Sequence, residues 1–185
     1  MVLIAHLETR QVALQPAEAA DGLSFYQLLL RLGLHSLPSM ESFLKSFEER
    51  PETLAAVFAI RLRENGELLG FGSLQERDRA GHIQVGLFME TERVRRGVGA
   101  EAMMLLVNYA FAVWPELRKV YFLTTDASLP RFGSALLATP REASLPAHVF
   151  FRGRLWDLHF YAVGRGEWER VGARLLGRLA GVAGV

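Results

Sequence analysis

The amino-acid sequence predicts a single α+β domain that spans residues 1–185. Three observations predict this fold class. The chain has 185 residues, which is long enough for one full-sized core and too short for two, and 50% of its residues are hydrophobic. Its apolar residues recur at helical spacing before residue 51, group into short strand-like runs from residue 54 to 89, and then return to helical spacing. No internal repeat and no linker interrupts this order.

The first third of the chain is predicted to hold one short strand and two helices. The strand lies around Val12–Leu14, and Asp21 could cap a helix that runs to about Leu34. Ser39 is the predicted N-cap of the second helix, and Pro51 ends it. The apolar stripe of this second helix recurs at i, i+3, i+4 and i+7: Met40, Phe43, Leu44 and Phe47.

The middle of the chain is predicted to be an antiparallel meander from Leu54 to Met89. Its three runs are LAAVFAIRLR, ELLGFGSLQER and HIQVGLFM, and turns at ENG and DRAG separate them. An amphipathic helix that ends at Pro115 is expected next. Its predicted apolar face is Met103, Leu106, Val107, Ala110, Phe111 and Trp114.

The last third is predicted to complete the sheet. KVYFLTTD is expected to form a buried strand, because no charge interrupts it after its first residue. Residues 127–146 are expected to form loop and short helix. HVFFRGRLWDLHFYAV predicts a hairpin that turns around Arg152–Arg154, and the chain is expected to be helical from Glu167 onward.

Composition excludes several function classes. The formal net charge of +1 provides no overall attraction to nucleic acid or to an anionic membrane. No segment reaches the roughly 18 consecutive apolar residues of a membrane span. The absence of cysteine rules out disulfides, thiolate nucleophiles and cysteine-ligated zinc, and it fits a cytoplasmic protein. The five histidines show no metal-ligand spacing, so no metal is expected. The net charge and the short apolar runs predict neither nucleic acid nor a membrane as a partner.

A glycine-containing stretch with two arginines, VRRGVGA at residues 94–100, opens the predicted central helix. The N-terminus of a helix presents unpaired backbone N–H groups and the positive end of the helix dipole. Gly97 and Gly99 would let this backbone approach an anion closely, and Arg95 and Arg96 add positive charge at the same place. The combination predicts a cradle for phosphate, most simply for a pyrophosphate.

Two common phosphate-binding motifs and an ordinary turn are alternatives for this stretch. A P-loop requires a Lys-Ser or Lys-Thr pair, which this stretch lacks. The dinucleotide-binding fingerprint is a nearer rival, because GVGAEA matches G-x-G-x-x-A. The charged segment before the first glycine and the antiparallel meander upstream argue against it. A glycine-containing turn with solvated arginines, and no bound phosphate, is the remaining alternative.

The stretch resembles the pyrophosphate-binding loop of GNAT-superfamily N-acetyltransferases. That family's central motif is Q/R-x-x-G-x-G/A between a strand and a helix, and this chain has VRRGVG at the corresponding place, residues 94–99. The predicted order of elements is similar to the family's along nearly the whole chain. The closing GRLWDLHFYAVGRGEWER is similar to the branch that acetylates N-terminal amines of ribosomal proteins, on the pattern of Asp157, Tyr161 and Glu167-Trp168.

The resemblance implies a fold and a cofactor. The fold is a mixed, mostly antiparallel central sheet of six to seven strands flanked by helices, with a splayed strand pair at the cofactor site. The cofactor is acetyl-CoA. The residues implied for cofactor binding lie on the strand before the cradle, in the cradle, and after the fifth strand: Leu87, Phe88, Met89, Val94, Arg95, Arg96, Gly97, Val98, Gly99, Ala100, Ser128 and Arg131.

Two departures from the family pattern stand out. Val94 occupies the first motif position, where relatives have Gln or Arg, and this position acts mainly through its backbone. After the fifth strand, relatives usually have Asn-x-x-Ser and a helix that ends in Leu-Gly-Phe. This chain has neither, so the acceptor side and the adenine end of the site have no motif match.

Acetyl transfer to an amine requires a neutral amine, stabilisation of an oxyanion and a proton for the departing thiolate. The resemblance implies that the Met89 N–H faces the thioester carbonyl and that Ser128, or Tyr161 in reserve, protonates the thiolate. Gln84 stands where many relatives carry a Glu. The candidate bases, besides a water-bridged route, are Glu90, Asp126, Asp157 and His159. Strand alternation places Asp157, His159 and Tyr161 on one face, which is expected to line the acceptor site. The alternative is that Asp157 only orients the hairpin or pairs with an arginine.

Two functions of different classes follow from these residues. The first is an acetyl-CoA-dependent N-acetyltransferase that transfers the acetyl group directly to a primary amine, on a small molecule or a peptide. The second is a catalytically degenerate regulatory module that binds acyl-CoA, which the absent Glu at position 84 keeps open. The open edge of the predicted sheet leaves room for a homodimer.

Overall fold

The computed structural model describes residues 3–34, 37–90, 97–128, 139–151 and 153–181. Within these ranges, seven strands form one sheet in the order β1-β2-β3-β4-β5-β7-β6. The strands are β1 (Val12–Pro16), β2 (Leu54–Leu62), β3 (Leu68–Gln75), β4 (His82–Met89), β5 (Lys119–Thr125), β6 (Arg141–Phe151) and β7 (Arg154–Gly164). The predicted mixed, mostly antiparallel sheet is confirmed, because only the β4–β5 pair is parallel.

Four helices flank this sheet in the described part of the chain. A 3-10 turn at Ala19–Asp21 leads into the first of them. The helices are α1 (Gly22–Arg31), α2 (Met40–Glu49), α3 (Val98–Val113) and α4, which comprises Arg165–Glu167, a π-helical turn at Trp168–Gly172, and Ala173–Leu179. None of the helices in the described ranges is both long and apolar enough to cross a membrane.

The β4–β5 pair separates partway along its length. The parallel ladder joins His82–Val85 to Lys119–Phe122 and stops there. Both strands continue, β4 to Met89 and β5 to Thr125. Beyond this point the ends of β4 and β5 do not pair with each other, which confirms the predicted splayed pair. Their separation opens a gap within the sheet.

The helices cover opposite faces of the sheet. One core cluster joins α3 and α4 to Phe58, Val85 and Met89, and a second joins α1 and α2 to Val57 and Phe71. The register explains this division, because neighbouring residues on a strand point to opposite faces. Leu87 and Met89 pack on the α3 face of β4, and Phe88 packs on the α1–α2 face.

The prediction that α3 is amphipathic is wrong. Its residues are buried on nearly every side, including Leu105 and Ala102, which lie outside the predicted apolar face. The reason is that chain segments far apart in sequence cover the side of α3 that faces away from the sheet. Asn108 connects them, because its amide donates to the Ile4 carbonyl (2.7 Å) and accepts from the Trp168 indole (3.1 Å).

Three local predictions are confirmed. The side chain of Ser39 caps α2 by accepting a hydrogen bond from the Ser42 N–H (3.2 Å). The meander strands occupy the predicted runs. The closing hairpin turns at Gly153, whose φ of +79° is readily accessible to glycine.

Two boundaries differ from the prediction. The first helix ends at Arg31 rather than Leu34, because Gly33 adopts a φ of +86° that a right-handed helix cannot include. β6 begins at Arg141, inside the stretch expected to be loop and short helix. This edge strand is exposed along most of its length and shifts register between Leu145 and Val149, so its sequence shows little of the alternation typical of a strand.

The end of α3 is held by a single guanidinium group. Arg165 donates hydrogen bonds to the carbonyls of Phe111 (2.9 Å), Trp114 (2.7 Å) and Leu117 (2.6 Å). We expect Arg165→Ala to lower the free energy of unfolding by about 3 kcal/mol, since it removes a donor from all three carbonyls and leaves only that of Trp114 with a further donor, the Leu117 N–H, among the bonds described. Urea denaturation would measure the loss. Arg178→Ala, at an exposed position on α4, should change stability by less than about 0.5 kcal/mol.

Candidate active site

A cavity of about 270 Å³ lies where β4 and β5 separate. Its walls come from both faces of the sheet. Gly99 of α3 lines it on one face, and Leu32 and Leu34, which follow α1, line it on the other. The remaining lining residues come from the ends of β4 to β7 and the turn after β5: Leu87, Phe88, Met89, Leu123, Thr124, Thr125, Ala127, Ser128, Val149, Phe151 and Leu158. The gap in the sheet therefore connects the α3 face to the α1–α2 face.

The N-terminus of α3 reaches the α3 side of this cavity. Gly97 is the N-cap residue and has a φ of +95°, a conformation that other residues adopt with strain. Among the described residues, a Cβ built on Gly99 would meet only the Met89 sulfur, at 4.0 Å, so the backbone is open to the described part of the cavity at this point. The first N–H groups of a helix have no partner within the helix. An anion could therefore approach this backbone closely.

Two buried threonine hydroxyls lie at the end of β5. Thr124 and Thr125 are 5% and 8% exposed, and neither hydroxyl has a hydrogen-bond partner among the described residues. Leaving a buried hydroxyl unpaired costs about 1–3 kcal/mol. Because both residues line the cavity, a bound molecule could supply the missing hydrogen bonds.

The turn after β5 brings Ser128 to the cavity. Its N–H donates to the Thr125 carbonyl (2.9 Å), which closes a tight turn at the strand end. This turn also explains how Ala127 and Ser128 come to line the same space. A third hydroxyl is thereby placed near the two threonines.

An ion pair stands beside the cavity. The Arg31 Nε lies 2.5 Å from the Glu90 Oε1. Arg31 immediately precedes Leu32, and Glu90 immediately follows Met89, so the pair joins the end of α1 to the end of β4. A carboxylate is thus held within one residue of the cavity wall on β4.

The polar side chains of β7, Asp157, His159 and Tyr161, are not among the residues that line this cavity. His159 is 3% exposed; its Nε2 lies 2.9 Å from the Asp126 Oδ1, and its Nδ1 lies 2.9 Å from the Ser144 Oγ. Tyr161 stacks on Phe122, with ring centroids 5.1 Å apart. From β7, the cavity is lined by Leu158, on the opposite face.

The fold agrees with the result of comparisons with known proteins. The profile of the acetyltransferase (GNAT) family matches residues 23–131, more than half of the chain. The chain belongs to the GNAT acetyltransferase family. The matched segment runs from α1 through the turn after β5, and so includes β4, the N-terminus of α3 and Ser128.

Solved GNAT structures share the fold. A probable acetyltransferase of this family from Chromobacterium violaceum ATCC 12472 is 21% identical, with a TM-score of 0.65 over 89% of this chain and 88% of that one. A GCN5-related N-acetyltransferase from Brucella melitensis is 19% identical, with a TM-score of 0.69 over 96% and 86%. Mutant forms of the spermidine/spermine N-acetyltransferase from Vibrio cholerae are 16% identical, with a TM-score of 0.71 over 86% and 97%. No curated protein matches the sequence.

The structure brings together part of the set of residues predicted from the GNAT motif. Leu87, Phe88, Met89, Gly99 and Ser128 line the cavity. The predicted residues Gly97, Val98, Ala100 and Glu90 lie within two positions of a lining residue in the sequence. The side chain of Val98 is fully buried in the core. The predictions for Val94, Arg95, Arg96 and Arg131 lie outside the described residues.

Two predicted catalytic residues are not brought to the cavity. Tyr161 is buried in the α3-face core. Asp157 accepts a hydrogen bond from the Ala147 N–H (2.9 Å), where β6 shifts register and Ala147 has a φ of +47°. The expected acceptor-lining face of β7 therefore packs inward or supports the hairpin.

Several lining residues were not predicted from the sequence. Thr124 and Thr125 are the clearest, and their signal was available: two hydroxyl side chains end an otherwise apolar strand, KVYFLTT. Leu158 and Phe151 showed no comparable signal, because apolar residues in a hairpin normally serve the core. Gln84 pairs with Tyr121 in the joined part of the β4–β5 ladder and is not a lining residue.

Within the ranges that the structure describes, no group of three or more His, Asp or Glu side chains could hold a metal ion. The nearest polar arrangement, His159 with Asp126 and Ser144, is a hydrogen-bonded chain in which both imidazole nitrogens are engaged.

Proposed function

We propose that this protein is an acetyl-CoA-dependent N-acetyltransferase that transfers the acetyl group directly to a primary amine, and that residues 1–185 act as one domain. The observation that carries the proposal is the cavity at the separation of β4 and β5, directly against the N-terminus of α3. Membership of the GNAT family supports the same reaction class. A cytoplasmic location is part of the proposal, since the chain lacks cysteine.

The residues present fit coenzyme A on the α3 side of the cavity. The open backbone at Gly99 and the N-terminus of α3 would hold the pyrophosphate, together with the proposed contacts from Val94, Arg95, Arg96, Gly97, Val98 and Ala100. The separated edge of β4, at Leu87, Phe88 and Met89, offers backbone groups to the pantetheine arm. Arg131 is proposed as a further contact to the cofactor.

We propose a role in acetyl transfer for each of three residues at or beside the cavity. Acetyl-CoA supplies a thioester whose carbonyl carbon accepts the amine. The Met89 N–H is proposed to stabilise the negative charge that develops on the carbonyl oxygen. Glu90, held by Arg31 beside the cavity, is proposed to accept the amine proton through water. The hydroxyl of Ser128 is proposed to donate a proton to the departing thiolate.

The similarity of this chain to other acetyltransferases suggests two kinds of acceptor. The closing hairpin resembles the branch that acts on N-terminal amines of ribosomal proteins, which suggests a protein N-terminus. The similar Vibrio cholerae enzyme is a spermidine/spermine N-acetyltransferase, which suggests a polyamine. The cavity lining can decide between such classes, because an apolar wall and a charged wall select different amines.

Calorimetric titration with acetyl-CoA, with NAD as the control ligand, tests the cofactor assignment. We expect binding of acetyl-CoA at micromolar affinity or better and no binding of NAD. Release of CoA that depends on an added amine would then demonstrate transfer. Binding without amine-dependent release would favour the degenerate acyl-CoA-binding module, and binding of NAD instead would refute the proposal.

Asp157→Asn tests whether the Asp157 carboxylate takes part in transfer. Asparagine keeps an oxygen that can accept from the Ala147 N–H, so the hairpin should be preserved. Because Asp157 is not a lining residue, we expect the rate of transfer to stay within about twofold. A tenfold slower rate with unchanged thermal stability would show that the Asp157 carboxylate takes part in transfer.

A further inference from the structure

The α1–α2 side of the cavity has an almost entirely apolar wall. Its described lining residues come from several different elements and share an aliphatic or aromatic side chain: Leu32, Leu34, Phe88, Leu123, Phe151 and Leu158. Their positions are fixed independently, since they lie after α1 and on β4, β5, β6 and β7. The apolar wall is therefore a property of the assembled site and not of one segment.

Charged groups are absent from the described lining of the whole cavity, and its polar side chains are the hydroxyls of Thr124, Thr125 and Ser128. Among the described residues, two carboxylates adjoin this lining in sequence, and each already has a partner. Glu90 pairs with Arg31, and Asp126 contacts His159. A polyamine carries more than one ammonium group at neutral pH, and a second buried ammonium without a carboxylate partner is strongly disfavoured.

Thr125 provides a polar point on the apolar wall. It is paired in register with Leu158 of β7, and alternation on β5 places it on the same face as Leu123. Its hydroxyl is buried and has no hydrogen-bond partner among the described residues. A hydroxyl can accept a hydrogen bond from an amine N–H and leave the nitrogen lone pair available for attack.

We propose that the acceptor is a primary amine carried on an apolar body, and that Thr125 accepts a hydrogen bond from its nitrogen. This inference rests on the proposed function. The apolar body occupies the wall of leucines and phenylalanines, and the nitrogen points toward the gap between β4 and β5. The reaction consumes one acetyl thioester and one amine and yields one amide and one free thiol. Glu90 takes one amine proton through water, Ser128 gives its hydroxyl proton to the thiolate, and solvent carries a proton from Glu90 back to Ser128.

The test compares acceptors at saturating acetyl-CoA, with free thiol as the readout. The panel contains 2-phenylethylamine, the peptide Phe-Gly-Gly, and spermidine. We expect kcat/KM for at least one apolar amine to exceed that for spermidine by about tenfold or more, the range that an apolar pocket achieves. A preference for the peptide over the free amine would identify a protein N-terminus as the source of the acceptor, and the reverse would identify a small molecule.

Two substitutions at one position test the role of Thr125. Thr125→Val has the same shape and removes the unpaired hydroxyl, so it should raise Tm in the absence of ligand. The same change should raise KM for the apolar amine by about tenfold, the effect of one lost hydrogen bond. Thr125→Ser keeps the hydroxyl and should restore KM to within about threefold. An unchanged KM in Thr125→Val would overturn the role of Thr125.

The failures of this inference and of the proposed function can be told apart. If acetyl-CoA binds and spermidine is the preferred acceptor, the apolar acceptor is refuted and the N-acetyltransferase stands. If acetyl-CoA binds and no amine releases free thiol, transfer itself is refuted, and the acceptor inference is refuted with it. If acetyl-CoA does not bind, both are refuted.

Discussion

Gly99→Leu is expected to weaken acetyl-CoA binding by about 100-fold, equivalent to about 2.7 kcal/mol, while the protein stays folded. The backbone at Gly99 faces the cavity, and in the part of the chain that the structure describes only the Met89 sulfur lies within 4.0 Å of a built Cβ. A leucine side chain has room to enter this space and would occupy the place proposed for the cofactor phosphates. Titration calorimetry measures the loss.

A control for this change lies elsewhere on a helix. Gly177 of α4 has no described atom within 4 Å of a built Cβ and is not a lining residue, so Gly177→Leu should leave the affinity unchanged. Gly97 is a poorer site for the test, because its φ of +95° adds backbone strain to any substitution. Equal affinities for wild type and a folded Gly99→Leu protein would remove the cradle from the proposal.

Gly70→Ala should reduce the rate of transfer by about 100-fold and destabilise the protein by about 3 kcal/mol. Gly70 is paired with Met89 at the end of the β3–β4 ladder. A Cβ at Gly70 would lie 2.1 Å from the Phe88 carbonyl oxygen and 3.0 Å from the Met89 Cα, both of which are backbone atoms. The end of β4 would have to move, and the proposed oxyanion donor would move with it.

Steady-state kinetics and urea denaturation measure the two effects of Gly70→Ala. Gly164→Ala is the matched control, because it adds the same methyl group to a strand residue that has no described atom within 4 Å of a built Cβ. We expect that control to behave as wild type. If Gly70→Ala lost stability but kept kcat, the position of the Met89 N–H would not matter, and its proposed role would have to be abandoned.

Much of the fold was predictable because its information is local. The meander from β2 to β4 is a series of apolar runs separated by turns, and the Ser39 cap lies next to the helix it begins. β6 was not predictable on the same basis. It is an exposed edge strand with a register shift near Pro146, so neither alternation nor burial marks it. The burial of the second side of α3 could not be predicted for another reason, because the segments that cover it lie far away in sequence.

The site divides in the same way. Gly99 and Met89 could be predicted because a motif and a strand end identify them. The apolar acceptor wall, with Leu158 and Phe151, could not be predicted. It exists only because β4 and β5 stop pairing after Val85 and Phe122, and the positions of five elements decide which side chains face the gap.

The contacts of Asn108 have a consequence for how the chain folds. Its partners at Ile4 and Trp168 are 104 and 60 residues away in sequence, so the far side of α3 cannot be covered until α4 has been synthesised. Until then a nascent chain exposes a nearly all-apolar helix, which is the kind of surface that chaperones bind. We expect folding to be limited by these late, long-range contacts, and a chain that ends before α4 to aggregate rather than to form a smaller stable domain.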